Sequence, residues 1–199
     1  MGHIAYFLDR RRYPDHPWLA RPANAILESF LTRNDVGLEF GSGRSTLWFA
    51  KKVSALTSVE HDPVWHNKVT KELARRKLLN VHCLLVEKDV EDSKGPDAAY
   101  VRITEKFPQN GLDFILVDGA YRDSCALASM ELLRPGGILI IDDVHWFLPS
   151  NSISPEARTY EQGPASSQWE RFASAVAAWR CIRTTDGIHD TILYLKPCE

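Results

Sequence analysis

Cysteine is sparse in this chain and unpaired by pattern. Cys83, Cys125, Cys181 and Cys198 stand far apart, without a C-x-x-C pair or a Cys/His ligand spacing. That excludes a cysteine-built metal site of the usual kind and predicts thiols in a reducing compartment. Long apolar runs are also missing: none approaches the roughly 20 residues needed to span a bilayer. The apolar Ile4-Ala5-Tyr6-Phe7-Leu8 is short and is followed, not preceded, by arginines. This is the reverse of a secretory signal, so a cytoplasmic location is expected. Excess charge is lacking too. A net charge of −2 over 199 residues supplies no field to gather nucleic acid or anionic lipid. The basic clusters Arg10-Arg11-Arg12 and Arg75-Arg76-Lys77 read as solvated faces. No internal repeat or low-complexity tract is found. What remains, with 44% hydrophobic and 25% charged residues, is an ordinary globular domain long enough to bury a full core.

Its most informative stretch is Val36-Gly37-Leu38-Glu39-Phe40-Gly41-Ser42-Gly43-Arg44-Ser45-Thr46. An apolar run ends in a carboxylate, turns through small residues and opens into a helix-like segment. In an α/β sheet that is where a nucleotide-like ligand lies directly on backbone. Further strands are predicted over 55–60, 81–86, 112–118 and 138–143. Helices are predicted over 23–32, from Asp62-Pro63 to 78, and over 98–107, 124–133 and 166–179. Residues 1–22, with Pro14, Pro17 and Pro22, suit an irregular arm. Asp186-Gly187 between two strand-like runs marks a closing hairpin. The expected fold is α/β, a single-domain, Rossmann-like, doubly wound sheet of seven strands, mostly parallel with a C-terminal antiparallel hairpin. Residues 1–35 form its arm and acceptor-side helix, and 36–199 the main domain.

Ligands of such sheets lie outside the carboxyl ends of the strands. This chain places acids and small residues there: Glu39 with Gly41-Ser42-Gly43, then Glu60, Glu87 to Asp89, Asp118, and Asp142-Asp143. The turn departs from G-x-G-x-x-G, which weakens a dinucleotide reading. Glu39 beside it would repel a pyrophosphate and attract an ammonium or sulfonium.

With these marks, and with Leu116-Val117-Asp118-Gly119 and Arg134-Pro135-Gly136-Gly137, the chain resembles the class I S-adenosylmethionine-dependent methyltransferases over about residues 36–196. The resemblance implies that Gly41, Ser42 and Gly43 pass the methionine part of the cofactor, with Glu39 near its amino group. It also implies that Glu60 accepts bonds from the ribose hydroxyls and that Asp118 adjoins the cofactor. Glu87, Lys88 and Asp89 stand where the family often contacts adenine.

Asp118, Asp142 and Asp143 should converge at the cofactor's reactive end, where three unpaired carboxylates would repel one another. Magnesium is one remedy, and the arrangement resembles the metal-dependent O-methyltransferases, whose ligand positions these three residues match. The resemblance departs at Asp143, where the catechol type usually has Asn, and at Tyr121, where that type has a lysine base. The other reading has Asp118 on the cofactor and Asp142 or Asp143 orienting the acceptor. His145 is a candidate base, and Arg122 a candidate clamp for an acidic acceptor or a plain ion-pair partner. The acceptor pocket is expected from the arm, including Tyr13 and Trp18, and from the loop between Trp146 and Trp169.

The resulting expectation is a methyltransferase acting on a small-molecule acceptor, by O-methylation and with magnesium as an optional aid. Nucleic acid and membrane are not expected as partners, and a homodimer is compatible with the chain. The alternatives are a methyltransferase-like cofactor-binding module without turnover, and an aminopropyltransferase, whose extra N-terminal β domain has no counterpart in the short arm.

Overall fold

The computed structural model describes residues 11–13 and 15–198. The apolar run at 4–8, Arg10 and Pro14 lie outside the described residues. Seven strands form one sheet: β1 Val36–Phe40, β2 Ala55–Glu60, β3 Val81–Leu85, β4 Leu112–Val117, β5 Leu133–Ile141, β6 Arg180–Thr185 and β7 Asp190–Leu195. Their spatial order is β3-β2-β1-β4-β5-β7-β6. The first five run parallel, and β7 enters antiparallel between β5 and β6. This is the doubly wound sheet with a closing hairpin that the strand pattern predicts. Strand order reverses between β1 and β4, so a crevice opens beyond their carboxyl ends.

The central strands are apolar because both their faces are covered. Along β4, Phe114 and Leu116 point to one face, packing with Phe49, Leu27 and Leu193. Ile115 and Val117 point to the other, with Phe40, Tyr100 and Phe172. Gly37 in β1 makes room for this packing, since a Cβ there would fall 2.1 Å from the Phe114 ring.

The helices are α1 Arg21–Phe30, α2 Arg44–Ala50, α3 Pro63–Arg76, α4 Ala99–Arg102, α5 Arg122–Ser129 and α6 Ser167–Ala175. Asp62 caps α3 as its sequence predicts, accepting from Val64 and Trp65 N–H at 2.7 and 2.9 Å. Among the described residues no helix is long and apolar enough to cross a membrane.

Several boundaries differ from the sequence expectation. Pro22 belongs to the first turn of α1, where a proline's fixed φ suits a helix start, and residues 11–12, expected to be irregular, are helical. The expected helix over 98–107 is split into α4 and a 3-10 turn, Ile103–Lys106. Helix α6 stops at Ala175 so that the chain can turn into β6. Helix α5 ends at Ser129, and β5 begins at Leu133, with Arg134-Pro135-Gly136-Gly137 inside the strand. Pairing shifts there from Leu112 opposite Leu133 to Phe114 opposite Ile138, an irregularity that Gly136 accommodates with φ +76°.

The Gly37–Phe114 fit has a measurable consequence. Gly37→Ala should cost about 1–3 kcal/mol in urea unfolding, and the same change in a Phe114→Leu background should cost little. Equal cost in both backgrounds would show that the ring is not the obstacle.

Candidate functional site

A cavity of about 690 Å³ opens at the carboxyl ends of β1, β2 and β4. Its floor is backbone. Gly41 has φ +96°, and a Cβ on it would meet Asp118 backbone at 2.8 Å. A Cβ on Gly119 would meet Tyr100 Oη at 2.2 Å and Gly41 N at 2.7 Å. Both glycines thus let the loops after β1 and β4 touch while leaving open space above them.

Two carboxylates hold the Gly41–Gly43 bend. Glu60 Oε2 accepts from Ser42 N–H at 2.9 Å, and its Oε1 accepts from the N–H of His61 and Asp62 at 2.8 and 2.9 Å. Glu39 works from beneath. Its Oε2 accepts from the Thr46 and Ser58 hydroxyls at 2.5 and 2.6 Å. Thr46 Oγ1 in turn accepts from Gly43 N–H at 2.8 Å, and the Ser58 and Ser42 hydroxyls are bonded at 2.8 Å. From the other side, Trp65 Nε1 donates to Ser42 carbonyl oxygen at 2.5 Å.

Of the residues expected at the cofactor, Gly41, Ser42, Gly43, Glu60 and Asp118 line the cavity. Glu39 lies wholly buried below them, its Oε1 without a partner among the described residues. Burial pushes its carboxyl up to about 7 against the lowering effect of the Ser45, Ser58 and Thr46 hydroxyls. Lys88 and Asp89 border a separate shallow depression, and Lys88 pairs with Asp92.

The expected convergence of Asp118, Asp142 and Asp143 is present. Each offers an oxygen within 4.8 Å of the others. Their charges already have partners: Arg122 reaches Asp118 at 2.8 Å and Asp143 at 3.8 Å. The same guanidinium donates to the backbone carbonyls of Asp118 and Asp142, tying the ends of β4 and β5 together. Thr191 donates to Asp142 at 2.5 Å, and His189 Nδ1 lies 2.8 Å from Asp143. Burial still raises Asp118 to about 6 and Asp142 well above the carboxylate range, each helped by the neighbouring acids.

His145 is completely enclosed. Its Nδ1 accepts from Asp190 N–H at 3.3 Å, and its Nε2 has no partner among the described residues. Burial lowers its pKa. Among the aromatics expected around an acceptor, Trp18 lines the cavity and Tyr13 stacks on His16. Trp146 is exposed, and Trp169 is core, stacked on Phe147.

Sequence reading missed Asp15, Arg44, His61, Trp65 and Lys68 on the cavity wall. Trp65 carried one usable signal, its position in the first turn of a helix that leaves a strand's carboxyl end. His189 and Thr191 carried none, because β7 reaches β5 only through antiparallel pairing of Ile192 with Ile141.

Comparison with known proteins agrees with this geometry. A family model described as a methyltransferase domain matches residues 38–144, more than half of the chain. The chain belongs to that family and is an S-adenosylmethionine-dependent methyltransferase. No curated protein matches its sequence. Among solved structures, it is similar to an S-adenosylmethionine-dependent methyltransferase of Aquifex aeolicus (TM-score 0.56, 16% identity, 98% of each chain covered). A Streptococcus mutans protein solved in complex with SAH (S-adenosylhomocysteine) matches with TM-score 0.56 and 10% identity, over 88% of this chain and 96% of that one. An rRNA methylase of Streptococcus thermophilus matches with TM-score 0.58 and 10% identity, over 92% and 100%. At such identities the likeness is one of fold.

The state of Glu39 predicts a pH dependence. In the unfolded chain a glutamate ionises near 4.5, whereas the folded carboxyl holds its proton to about 7. Its contribution is therefore fully present below the unfolded value and is lost as pH rises through about 7. Urea unfolding of the cofactor-free protein should show stability falling across this window. Asp118, raised to about 6, adds to the same slope. Glu39→Gln should flatten its share, and an unchanged slope in that variant would show that Glu39 is ionised throughout.

Proposed function

We propose that this enzyme methylates a hydroxyl oxygen of a small molecule at the Asp118, Asp142, Asp143 cluster. The observation that carries this reading is the convergence of the three carboxylates beside the cavity. The bound cofactor supplies a methyl group on a sulfonium, with a neutral thioether left behind.

In this reading Gly41, Ser42 and Gly43 lie along the cofactor's methionine part. Glu60 Oε2, which spends one lone pair on Ser42 N–H, keeps another for a ribose hydroxyl. Glu39, unpaired at Oε1 beneath the bend, is the counter-charge for the amino group and keeps the bend in shape. Asp15 and Trp18, on the segment before β1, close one side of the cavity.

At the reactive end, Asp118 reaches the cavity wall while Asp142 and Asp143 stand behind it. The cluster orients the acceptor hydroxyl toward the methyl carbon, and Asp118, its member on the cavity wall, takes up the proton. His145, enclosed and bonded through Nδ1 to the Asp190 N–H, holds the start of β7 and is not placed to act as the base. A set of three carboxylate oxygens within 4.8 Å suits a hard cation such as magnesium. Bound there, it would polarise the acceptor oxygen and lower its pKa. A second, metal-free reading is favoured by Arg122, whose guanidinium already partners Asp118 and Asp143. A small acceptor fits a net charge of −2, which lacks the phosphate attraction that RNA binding relies on.

An acceptor screen of hydroxylated sugars, phenols and RNA, run with magnesium or with EDTA, tests these points. Methyl transfer to a small hydroxylated compound is expected, and transfer to RNA alone would overturn the acceptor class. Asp118→Asn should lower turnover about a hundredfold or more, whereas Asp142→Asn should keep affinity for S-adenosylhomocysteine within about twofold in calorimetry, because Asp142 lies off the cavity wall. Full turnover in EDTA would remove the metal and leave the Arg122 arrangement.

A further inference from the structure

The cavity's charges are almost all spent on the protein itself. Asp15 is held by Lys51 and Arg76 at 2.8 and 3.0 Å. Glu60 accepts backbone N–H groups from the bend and from α3's approach. Asp62 caps α3, and Asp118 pairs with Arg122. Among the cations, Arg76 is shared by Asp15 and Glu72, and Lys68 sits 4.2 Å over the Trp65 ring on α3.

Arg44 differs. It follows Gly43 directly, lines the cavity together with Leu47 one turn later, and has no carboxylate partner among the described residues. Its guanidinium carbon lies 5.2 Å from the centroid of the Trp18 ring. A cation–π contact of that kind uses the face of the guanidinium and leaves its N–H edge available for a planar anion.

The cofactor brings one such anion. Its amino-acid end carries an ammonium and a carboxylate, and the carboxylate would be repelled by the acids that ring the rest of the cavity, Glu60 and Asp118 above all. Arg76, at the end of α3, is engaged by Asp15 and Glu72, and Lys68 by the Trp65 ring. Arg44 follows Gly43 directly and so stands beside the glycine bend where the methionine part runs, whereas on the other side of that bend Trp65 donates to the Ser42 carbonyl and Lys68 lies over the Trp65 ring.

We propose that Arg44, stacked on Trp18, binds the α-carboxylate of the cofactor's methionine part, and so selects cofactors that carry an intact amino acid. The proposal rests on the placement of the cofactor in this cavity. Because Trp18 belongs to the segment before β1, that segment takes part in cofactor selection through the side chain it stacks on.

Calorimetry on the wild type, Arg44→Gln and Arg44→Lys tests it with three ligands. These are S-adenosylhomocysteine, the same compound with its carboxylate converted to a carboxamide, and 5′-methylthioadenosine, which lacks the amino acid. A charged hydrogen-bonded pair of this kind is worth roughly tenfold to a hundredfold in affinity. Arg44→Gln should lose that factor for S-adenosylhomocysteine while binding the carboxamide and 5′-methylthioadenosine as the wild type does. Arg44→Lys should recover part of the loss. Equal loss for all three ligands would mean that Arg44 only shapes the cavity, and unchanged binding of S-adenosylhomocysteine would mean that it does not touch the carboxylate. Either result overturns the proposal while leaving the cofactor's place intact. Failure of the folded wild type to bind any of the three would overturn that placement and the proposal with it.

Discussion

Everything at the site depends on how a three-residue bend is held in place. Gly41 to Gly43 has no packing side chain apart from Ser42, so its shape comes from polar contacts. Glu60 takes the Ser42 N–H directly, and Glu39 takes Gly43 through the Thr46 hydroxyl and Ser42 through the Ser58 hydroxyl. A carboxylate buried in this way costs free energy unless it is well bonded. Glu39 meets that requirement at one oxygen and not at the other, and so holds its proton unusually strongly. The bend is therefore fixed by hydrogen bonds from the protein itself, and one acceptor beneath it has no partner among the described residues.

The second constraint lies at the ends of β4 and β5. Parallel strands finish with their carbonyls and acids pointing the same way, which gathers negative charge. Arg122 answers both, donating to the Asp118 and Asp142 carbonyls and to the Asp118 carboxylate. Hairpin β6–β7 adds His189 and Thr191 from the far side. Thr191 also accepts the backbone N–H of Ala20 at 2.8 Å. The segment before β1, the hairpin and the acid cluster are thus joined by single hydrogen bonds. The balance of charge still leaves Asp118 and Asp142 raised.

Legibility in the sequence followed the range of the interaction. Strand identities came through because β4 and residues 138–141 of β5 are buried on both faces and read as nearly continuous apolar runs. Asp62-Pro63 came through because a cap and a helix-starting proline are local. The end of α5 did not, because whether 130–137 continues a helix or enters a strand is decided by pairing with β4 across the sheet. Similarly, Trp169, expected in a helix and at the edge of an acceptor pocket, has its ring in the core, stacked on Phe147 and edge-on to Phe172.

By itself the sequence determined the order of strands and helices, the glycine bend, and the set of acids at the strand ends, since each is written in neighbouring residues with a fixed period. The tertiary structure alone decided which way those acids face. It turned Glu39 beneath the bend, put Arg122 among the aspartates, enclosed His145, and brought Trp18 over Arg44 from 26 positions away. Orientation of this kind depends on packing between elements distant in the chain, which no local pattern encodes.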